Sequence, residues 1–589
     1  MTKGTVQGII SNLVLVKADG PVAQNEICYL LHEDVRLMAE VIKIVGETTY
    51  VQVFDTTRGV KVGTVVEFSN SLLEVELGPG ILSKNYDGLQ NDLNKMEGIF
   101  LQKGVGSPPL EKDSKWLFKP LANVGDKVKA ASWLGEVSEN GLPHKIMVPF
   151  KFEGDFEILS LVKEGEYGLY DTIATLKDHK GLEHSITMTQ KWPVKLSVTS
   201  YKNKPRPSKL METGVRTVDC FSPMLVGGTG FVPGPFGSGK TVFQHALSKQ
   251  ADADVVIVAA CGERANEVVE IFWEFPTLED YRTGRKLMER TVIIANTSNM
   301  PVAAREASVY TAMTLGEYYR AMGLKVLLLA DSTSRWAQAL REMSNRLEDL
   351  PGPDAFPMDL SAIIANFYAR AGIVELNNGK MGSITFIGTV SPAGGNLKEP
   401  VTESTKKATR CFYALAQKRA DGKRYPAIDP IMSYSKYLEY PEFKEYMIGA
   451  GKPDWIDNAY KMKNYVQRGS EAADQINILG DDGVPVEYHL HYWRGELIDF
   501  VILQQDAFDK IDKMCPLDRQ KYMVDLVLWI CAKEMNFTHF EEVSDLFKKV
   551  INAMKQMNYS EYESPDFEKY AEEVSRLMTE KVESVENVA

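Results

Sequence analysis

The clearest chemistry in the chain lies in Gly234-Pro235-Phe236-Gly237-Ser238-Gly239-Lys240-Thr241, spaced G-x-x-x-x-G-K-T. Glycines let a backbone curl and bring its N–H groups close to a polyphosphate. Lys240 supplies a point charge for the outer phosphates, and the Thr241 hydroxyl suits a Mg²⁺ ligand. Such a match carries weight only in context. Upstream, the end of 224–233 reads as a short buried strand. Downstream, Val242, Phe243, Ala246 and Leu247 recur at helical spacing. Strand, glycine loop and helix predict phosphates at the helix N-terminus. The bland alternative, a chance glycine-rich turn, does not account for these flanks.

Further positions belong with the loop. Cys261-Gly262-Glu263-Arg264 follows the apolar run 255–260. A carboxylate at the end of such a strand can orient and polarise the water that attacks a terminal phosphate, the role expected of Glu263. The alternative is a solvated loop glutamate, the usual state of any single one. The run 326–330 ends in Asp331, an apolar strand closed by an acid, as suits a group holding Mg²⁺. Alone that pattern is weak; downstream of a phosphate loop it is strong. Arg335, in Ser332-Thr333-Ser334-Arg335, is placed to reach phosphate or a neighbouring subunit. Tyr425-Pro426 and Phe508 are candidates for stacking on a base, although aromatics of this kind are ordinarily core.

The elements that must position these groups are legible in outline. Residues 1–72 hold short alternating runs separated by glycines and acidic turns, which predict an N-terminal β-barrel. Residues 110–190 read as a second, inserted β-rich module with no nucleophile or metal cluster; His144 and His184 there read as packing or surface residues. From 195 to 440, β-branched runs at 255–260, 291–295, 326–330 and 384–390 alternate with helical patterns such as 302–322. That predicts a P-loop nucleotide-binding domain on a mostly parallel sheet, with ligand at the carboxyl ends of its strands. From 441 to 589 apolar residues recur at i, i+3, i+4 and i+7 (Met523, Leu526, Val527, Ile530), predicting a C-terminal helical bundle with a charged, frayed tail. The expected fold class is thus α/β multidomain.

Composition narrows the function. The 589 residues exceed one core, and a net charge of −13 argues against broad nucleic-acid binding and against adhesion to an anionic membrane. The six cysteines are scattered without a C-x-x-C pair, which predicts reduced thiols and a cytoplasmic setting. No apolar run reaches the roughly 20 residues of a spanning helix, and no signal peptide is expected. Any membrane role falls to partners.

The loop, Asn299-Met300-Pro301-Val302-Ala303-Ala304-Arg305-Glu306-Ala307-Ser308, Ala330-Asp331-Ser332-Thr333-Ser334-Arg335-Trp336-Ala337, Tyr425-Pro426-Ala427-Ile428-Asp429 and Cys515-Pro516-Leu517 together resemble the catalytic A subunit of V-type (A/V-type) rotary ATPases. So do Leu77-Gly78-Pro79-Gly80-Ile81-Leu82 and the module at 110–190, which separates this subunit from the β chain of F-type ATP synthases. The resemblance runs the length of the chain. It implies an alternating ring of three A and three B subunits around a central stalk with D/F-type subunits, braced by peripheral stalks. ATP hydrolysis at A–B interfaces would drive H⁺ or Na⁺ through a membrane sector made of other subunits, or run in reverse as synthesis. It implies ATP/ADP and Mg²⁺ as cofactors and a position on the cytoplasmic face of a membrane. Residue by residue, it gives Gly234 to Thr241, with Arg335, to ATP and Thr241 with Asp331 to metal. Glu263 becomes the catalytic glutamate, Arg264 its basic neighbour, and Tyr425 and Phe508 the walls of the adenine slot.

An arginine finger is expected from the B subunit, because Ser433-Tyr434-Ser435-Lys436 lacks the arginine of the non-catalytic S-x-S-R stretch. Two departures stand out. Pro353-Asp354-Ala355-Phe356-Pro357 replaces the family's usual continuation after Gly352, which bears on the stalk contact. Ser238 stands where eukaryotic vacuolar relatives carry cysteine. Both lean towards a bacterial or archaeal type. The alternatives are a related hexameric ATPase of secretion or RNA-translocating type, expected to lack the module at 110–190, and a non-catalytic nucleotide-binding ring subunit, expected to have lost Lys240 or Glu263.

Overall fold

The computed structural model describes residues 2–95, 106–235, 237–298 and 300–586. The chain divides into two compact units. One comprises Met1–Arg206, Gly227–Thr229 and Ala253–Ala408; the other comprises Pro207–Val226, Gly230–Asp252 and Thr409–Ala589. The segment expected to bind nucleotide thus contributes to both.

The first unit begins with a closed barrel of strands Lys3–Ile10, Leu13–Ala18, Glu26–His32, Val35–Val45, Thr48–Val53 and Val65–Leu72, joined in the order first, second, fifth, fourth, third, sixth. Alternate residues point inward, so Val14, Val16, Leu30, Val41, Val51 and Phe68 are wholly buried. Closure leaves no unpaired edge in the barrel. The inserted module follows as two four-stranded sheets, one of them formed by Lys115–Pro120, Trp133–Glu139, Leu142–Met147 and Gly165–Gly168. A buried polar knot fastens it to the rest of the unit. His144 sits 2.5 Å from Glu139 Oε2 through Nδ1 and 2.8 Å from the Tyr318 hydroxyl through Nε2. Glu139 Oε1 also accepts from the backbone N–H groups of Gly80 and Leu82. His144 is therefore a packing residue whose polar atoms are satisfied, as a buried imidazole must be.

The core of the first unit is a parallel sheet with Asn85–Tyr86, Thr291–Thr297, Val255–Glu263, Lys325–Asp331 and Met381–Val390 in that order across it. Strands buried on both faces need no alternation, which is why their sequences are continuous apolar runs. Each strand extends past the apolar run that marks it, towards the polar residues at its ends. The helix Val302–Arg320 packs on this sheet with Ala303, Ala307, Ala312 and Leu315 at zero exposure. It stops short of 322: Ala321 caps it and Gly323 follows at φ +78°, the left-handed turn that ends helices.

In the second unit, Thr229–Pro233 (whose first residue belongs to the first unit) runs parallel to Cys411–Phe412, which pairs antiparallel with Tyr434–Ser435. The helices are Lys240–Gln250, Pro441–Gly449, Trp455–Leu479, Val486–Ile498, Leu517–Ala532, Phe540–Asn558 and Pro565–Glu586, with the short turn Gln417–Asp421. Val543, Phe547, Val550 and Ile551 form the buried stripe of Phe540–Asn558. The last helix runs Pro565–Glu586, with Phe567, Val574 and Met578 buried along one face. An ion pair stitches the unit together. Arg216, fully buried, donates to Asp512 Oδ1 at 2.5 Å, to the Ile502 carbonyl at 3.1 Å and to the Gln504 carbonyl at 2.6 Å. The neighbouring carboxylate holds the guanidinium charged against its burial.

Candidate active site

The glycine loop belongs to the second unit. Its conformation is set by glycine geometry. Gly237 and Gly239 lie at φ +78° and +90°, where other residues are strained. Gly234 is needed for space: a Cβ there would come within 2.7 Å of Leu415 Cβ and of Ser238 Oγ. Ser238 is buried, and its hydroxyl donates to the Pro235 carbonyl at 2.7 Å. Lys240 folds back over the loop, donating to the carbonyl oxygens of Gly234 at 2.8 Å and Pro235 at 3.0 Å. Gly239 caps the helix Lys240–Gln250, whose first N–H groups have no partner within the helix. Thr241 is exposed. Phe236 lies outside the described residues, as does Asn299.

A cavity of about 600 Å³ opens beside the loop, entirely within the second unit. Gly237, Gly239, Phe243, Tyr425, Pro426 and Phe508 are among the residues that line it. Tyr425 is 45% exposed, and its ring stands 3.8 Å from where a Cβ on Gly239 would be. Phe508 is 85% exposed, so its ring has a face to offer a ligand and little protein to pack on. The loop and both aromatics therefore share one cavity.

The acids belong to the first unit, at the carboxyl ends of its parallel strands. Register places Ala260 beside Asp331 and Ala330 beside Gly388, while Glu263 follows a bulge and pairs with Thr297. Gly262, at φ +71°, turns the strand end, and a Cβ there would come within 3.1 Å of Arg305 and Arg335 side-chain atoms. Asp331 Oδ1 accepts from the Thr389 hydroxyl at 2.6 Å. The carboxyl of Glu263 is pushed up to about 8, first by burial, then by the charge of Asp331 and by a hydrogen bond with Glu267; Arg335 opposes this. Arg335 donates to Gln338 Oε1 at 3.1 Å. Arg264, exposed, precedes the helix Ala265–Glu274. Sequence reasoning passed over Glu267 and Thr389. A second glutamate four residues after Glu263 is a signal available in the sequence; Thr389 meets Asp331 only through strand register.

Comparison with known proteins settles the family. Curated relatives named V-type ATP synthase alpha chain match essentially end to end. The one from Treponema denticola is 46% identical over 591 residues, covering 100% of this chain and 98% of its own. That from Borrelia garinii subsp. bavariensis is 47% identical, covering 98% and 99%. The alpha chain 1 of Treponema pallidum is 46% identical, covering 98% and 96%. The chain belongs to the family of V-type ATP synthase alpha chains. Four domain models match in order. The ATP synthase alpha/beta beta-barrel domain covers 6–70, the barrel-sandwich domain 107–195, the nucleotide-binding domain 214–435 and the C-terminal domain of V and A type ATP synthase 444–545. Among solved structures, the assembled ATPase EscN of the enteropathogenic E. coli type III secretion system aligns at TM-score 0.60 and 20% identity. It covers 89% of this chain and 100% of its own, a likeness of fold alone. No helix among the described residues is long and apolar enough to cross a membrane.

Proposed function

We propose that the chain is the catalytic subunit of a V/A-type rotary ATPase, hydrolysing ATP at interfaces with a B subunit, or synthesising it in reverse, and coupling this through other subunits to H⁺ or Na⁺ movement. The observation that carries the reading is the acid pair at the strand ends of a chain that matches the family essentially end to end: Glu263, its carboxyl raised and set to exchange a proton, with Asp331 near it. The loop N–H groups and Lys240 bind the phosphates, and Lys240 exchanges two loop carbonyls for stronger phosphate oxygens. Glu263 accepts the proton of the attacking water, for which it must be ionised. Arg335 already works in that direction, and an arginine from the B subunit adds to it. Arg264 supplies further positive charge.

The Thr241 hydroxyl and the Asp331 carboxylate are each hard oxygen donors of the kind Mg²⁺ takes, and would be the groups to hold it. Bound, the ion neutralises charge on the phosphate oxygens. Tyr425 and Phe508 take the base. The loop 351–357, flanked by the exposed Leu350 and Met358, faces the central stalk. Peripheral stalks complete the assembly, on the cytoplasmic side of a membrane.

The reading is tested by mixing the chain with its B partner and Mg²⁺. A hexameric ring with ATPase activity that neither chain has alone is expected. A ring without Mg²⁺-dependent hydrolysis would overturn it.

A further inference from the structure

We propose that two adjacent residues, Gln505 and Asp506, are positioning residues for the nucleotide: they hold in place the two segments that bring Tyr425 and Phe508 to the cavity. This rests on that cavity being the site of the base, and adds to it what keeps its walls in place before the base arrives.

Regular structure fixes neither ring. Phe508 lies in a stretch, 504–516, that is neither helix nor strand, and Tyr425 lies in a bend. The Phe508 ring, 85% exposed, has little packing to hold it, so it is placed through its backbone.

Gln505 is 7% exposed, and its side-chain amide is engaged at both ends. Nε2 donates to the Gly214 carbonyl and to the Asp512 carbonyl, both at 2.8 Å, and Oε1 accepts from the Arg216 N–H at 2.8 Å. Carbonyls only accept and a backbone N–H only donates, so these bonds fix which way the amide points. Anchored in this way, Gln505 donates its own backbone N–H to the Tyr425 carbonyl at 2.8 Å.

Asp506 continues the tie on the other side. Its N–H donates to Asp512 Oδ2 at 2.7 Å, closing the loop on the carboxylate that the buried Arg216 holds. Its own Oδ1 accepts from the Phe508 N–H at 2.9 Å, a turn that aspartate and asparagine favour. One residue thus fastens the Tyr425 segment, and its neighbour the Phe508 segment, to the same Arg216–Asp512 pair. A loose wall must be ordered at the moment of binding, which costs affinity; a wall already held avoids that cost.

The test is competition of ATP and inorganic triphosphate against a fluorescent ATP analogue on the full chain. Triphosphate engages the glycine loop and not the base slot, so the ratio of the two affinities reads the slot. Asp506→Ala should lower the ATP-to-triphosphate ratio by about 3- to 10-fold, the equivalent of one net hydrogen bond. Asp506→Asn keeps the acceptor and should leave the ratio as in the wild type. The lost charge is common to both variants and acts on both ligands, so it does not enter the comparison. Phe508→Ala should lower the ratio by about fivefold or more, the loss of one stacked base. In that background Asp506→Ala should lower it no further, because Asp506 acts through Phe508; a merely structural role would leave the two losses additive. Gln505→Met should lower the ratio as well, but it also breaks the buried bonds to Gly214, Asp512 and Arg216, so the Asp506 cycle decides. An unchanged ratio in Asp506→Ala, an equal loss in Asp506→Asn, or the same loss with and without the Phe508 ring overturns this inference alone. An unchanged ratio in Phe508→Ala, or failure of the wild type to bind ATP, overturns the reading of the cavity with it.

Discussion

The phosphate loop of the second unit is built almost wholly from backbone: two glycines at positive φ, a third with no room for a Cβ, and helix N–H groups without helical partners. The acid cluster of the first unit is built from side chains: Asp331, Glu267 and Arg335 act on the charge of Glu263. A backbone cradle has no protonation state to lose, so its failure is one of shape. A cluster of like charges at strand ends fails or works according to which protons it holds. Substitutions in the two regions should therefore differ in kind as well as in size.

The largest contrast is between charge and shape. Asp331→Asn should cut hydrolysis in the assembled ring by about 10²-fold or more, as expected for losing an electrostatic contact to the metal and phosphates. It should also shift the acid limb of the pH–rate profile to lower pH, because Asp331 is a main cause of the raised Glu263 carboxyl. An unshifted limb would remove the coupling between the two acids. Lys240→Ala should weaken ATP binding by about 10- to 100-fold, the range of a charge-assisted hydrogen bond, without moving the pH profile. Equilibrium binding of ATP checks this.

Gly234→Ala should lower stability by about 1–3 kcal/mol, because the methyl meets Leu415 and Ser238 at 2.7 Å and something must move. A thermal melt without nucleotide reads it. An unchanged melting temperature would show that the cradle is less tightly fitted than its geometry implies.

The effect confined to one pH window is again electrostatic. The folded-state pKa of Glu263 is raised from 4.5 to about 8, so its contribution to stability is complete below the lower value and is lost as pH rises through the upper one. Glu263→Gln abolishes that titration. The variant should melt higher than the wild type around pH 9, with the difference shrinking towards pH 5. A pH-independent difference would contradict the raised carboxyl.

Much of this was written contiguously in the chain. The loop motif and the apolar run ending in Asp331 are local, and local patterns survive folding. Glu263 was legible because a carboxylate follows a strand buried on both faces. The barrel's alternation and the continuous apolar runs of the sheet likewise report burial on one face or on two. The cavity wall was not legible. Gln504 and Asn558 lie far from the loop in sequence, and nothing contiguous marks them as lining the same cavity. The raised pKa of Glu263 was hidden for a similar reason: it depends on strand register beside Asp331 and on a helical neighbour, Glu267. His144 carried no signal of the polar knot it makes with Glu139 and Tyr318, since Tyr318 comes from a distant segment.

The central claim is that Glu263 performs the chemistry while the glycine loop performs the binding. The direct measurement is ATP binding and hydrolysis by Glu263→Gln in the ring assembled with the B subunit. The variant should bind ATP as the wild type does and hydrolyse it about 10²- to 10⁴-fold more slowly, the range for losing a positioned general base. Undiminished turnover in that ring would contradict the account.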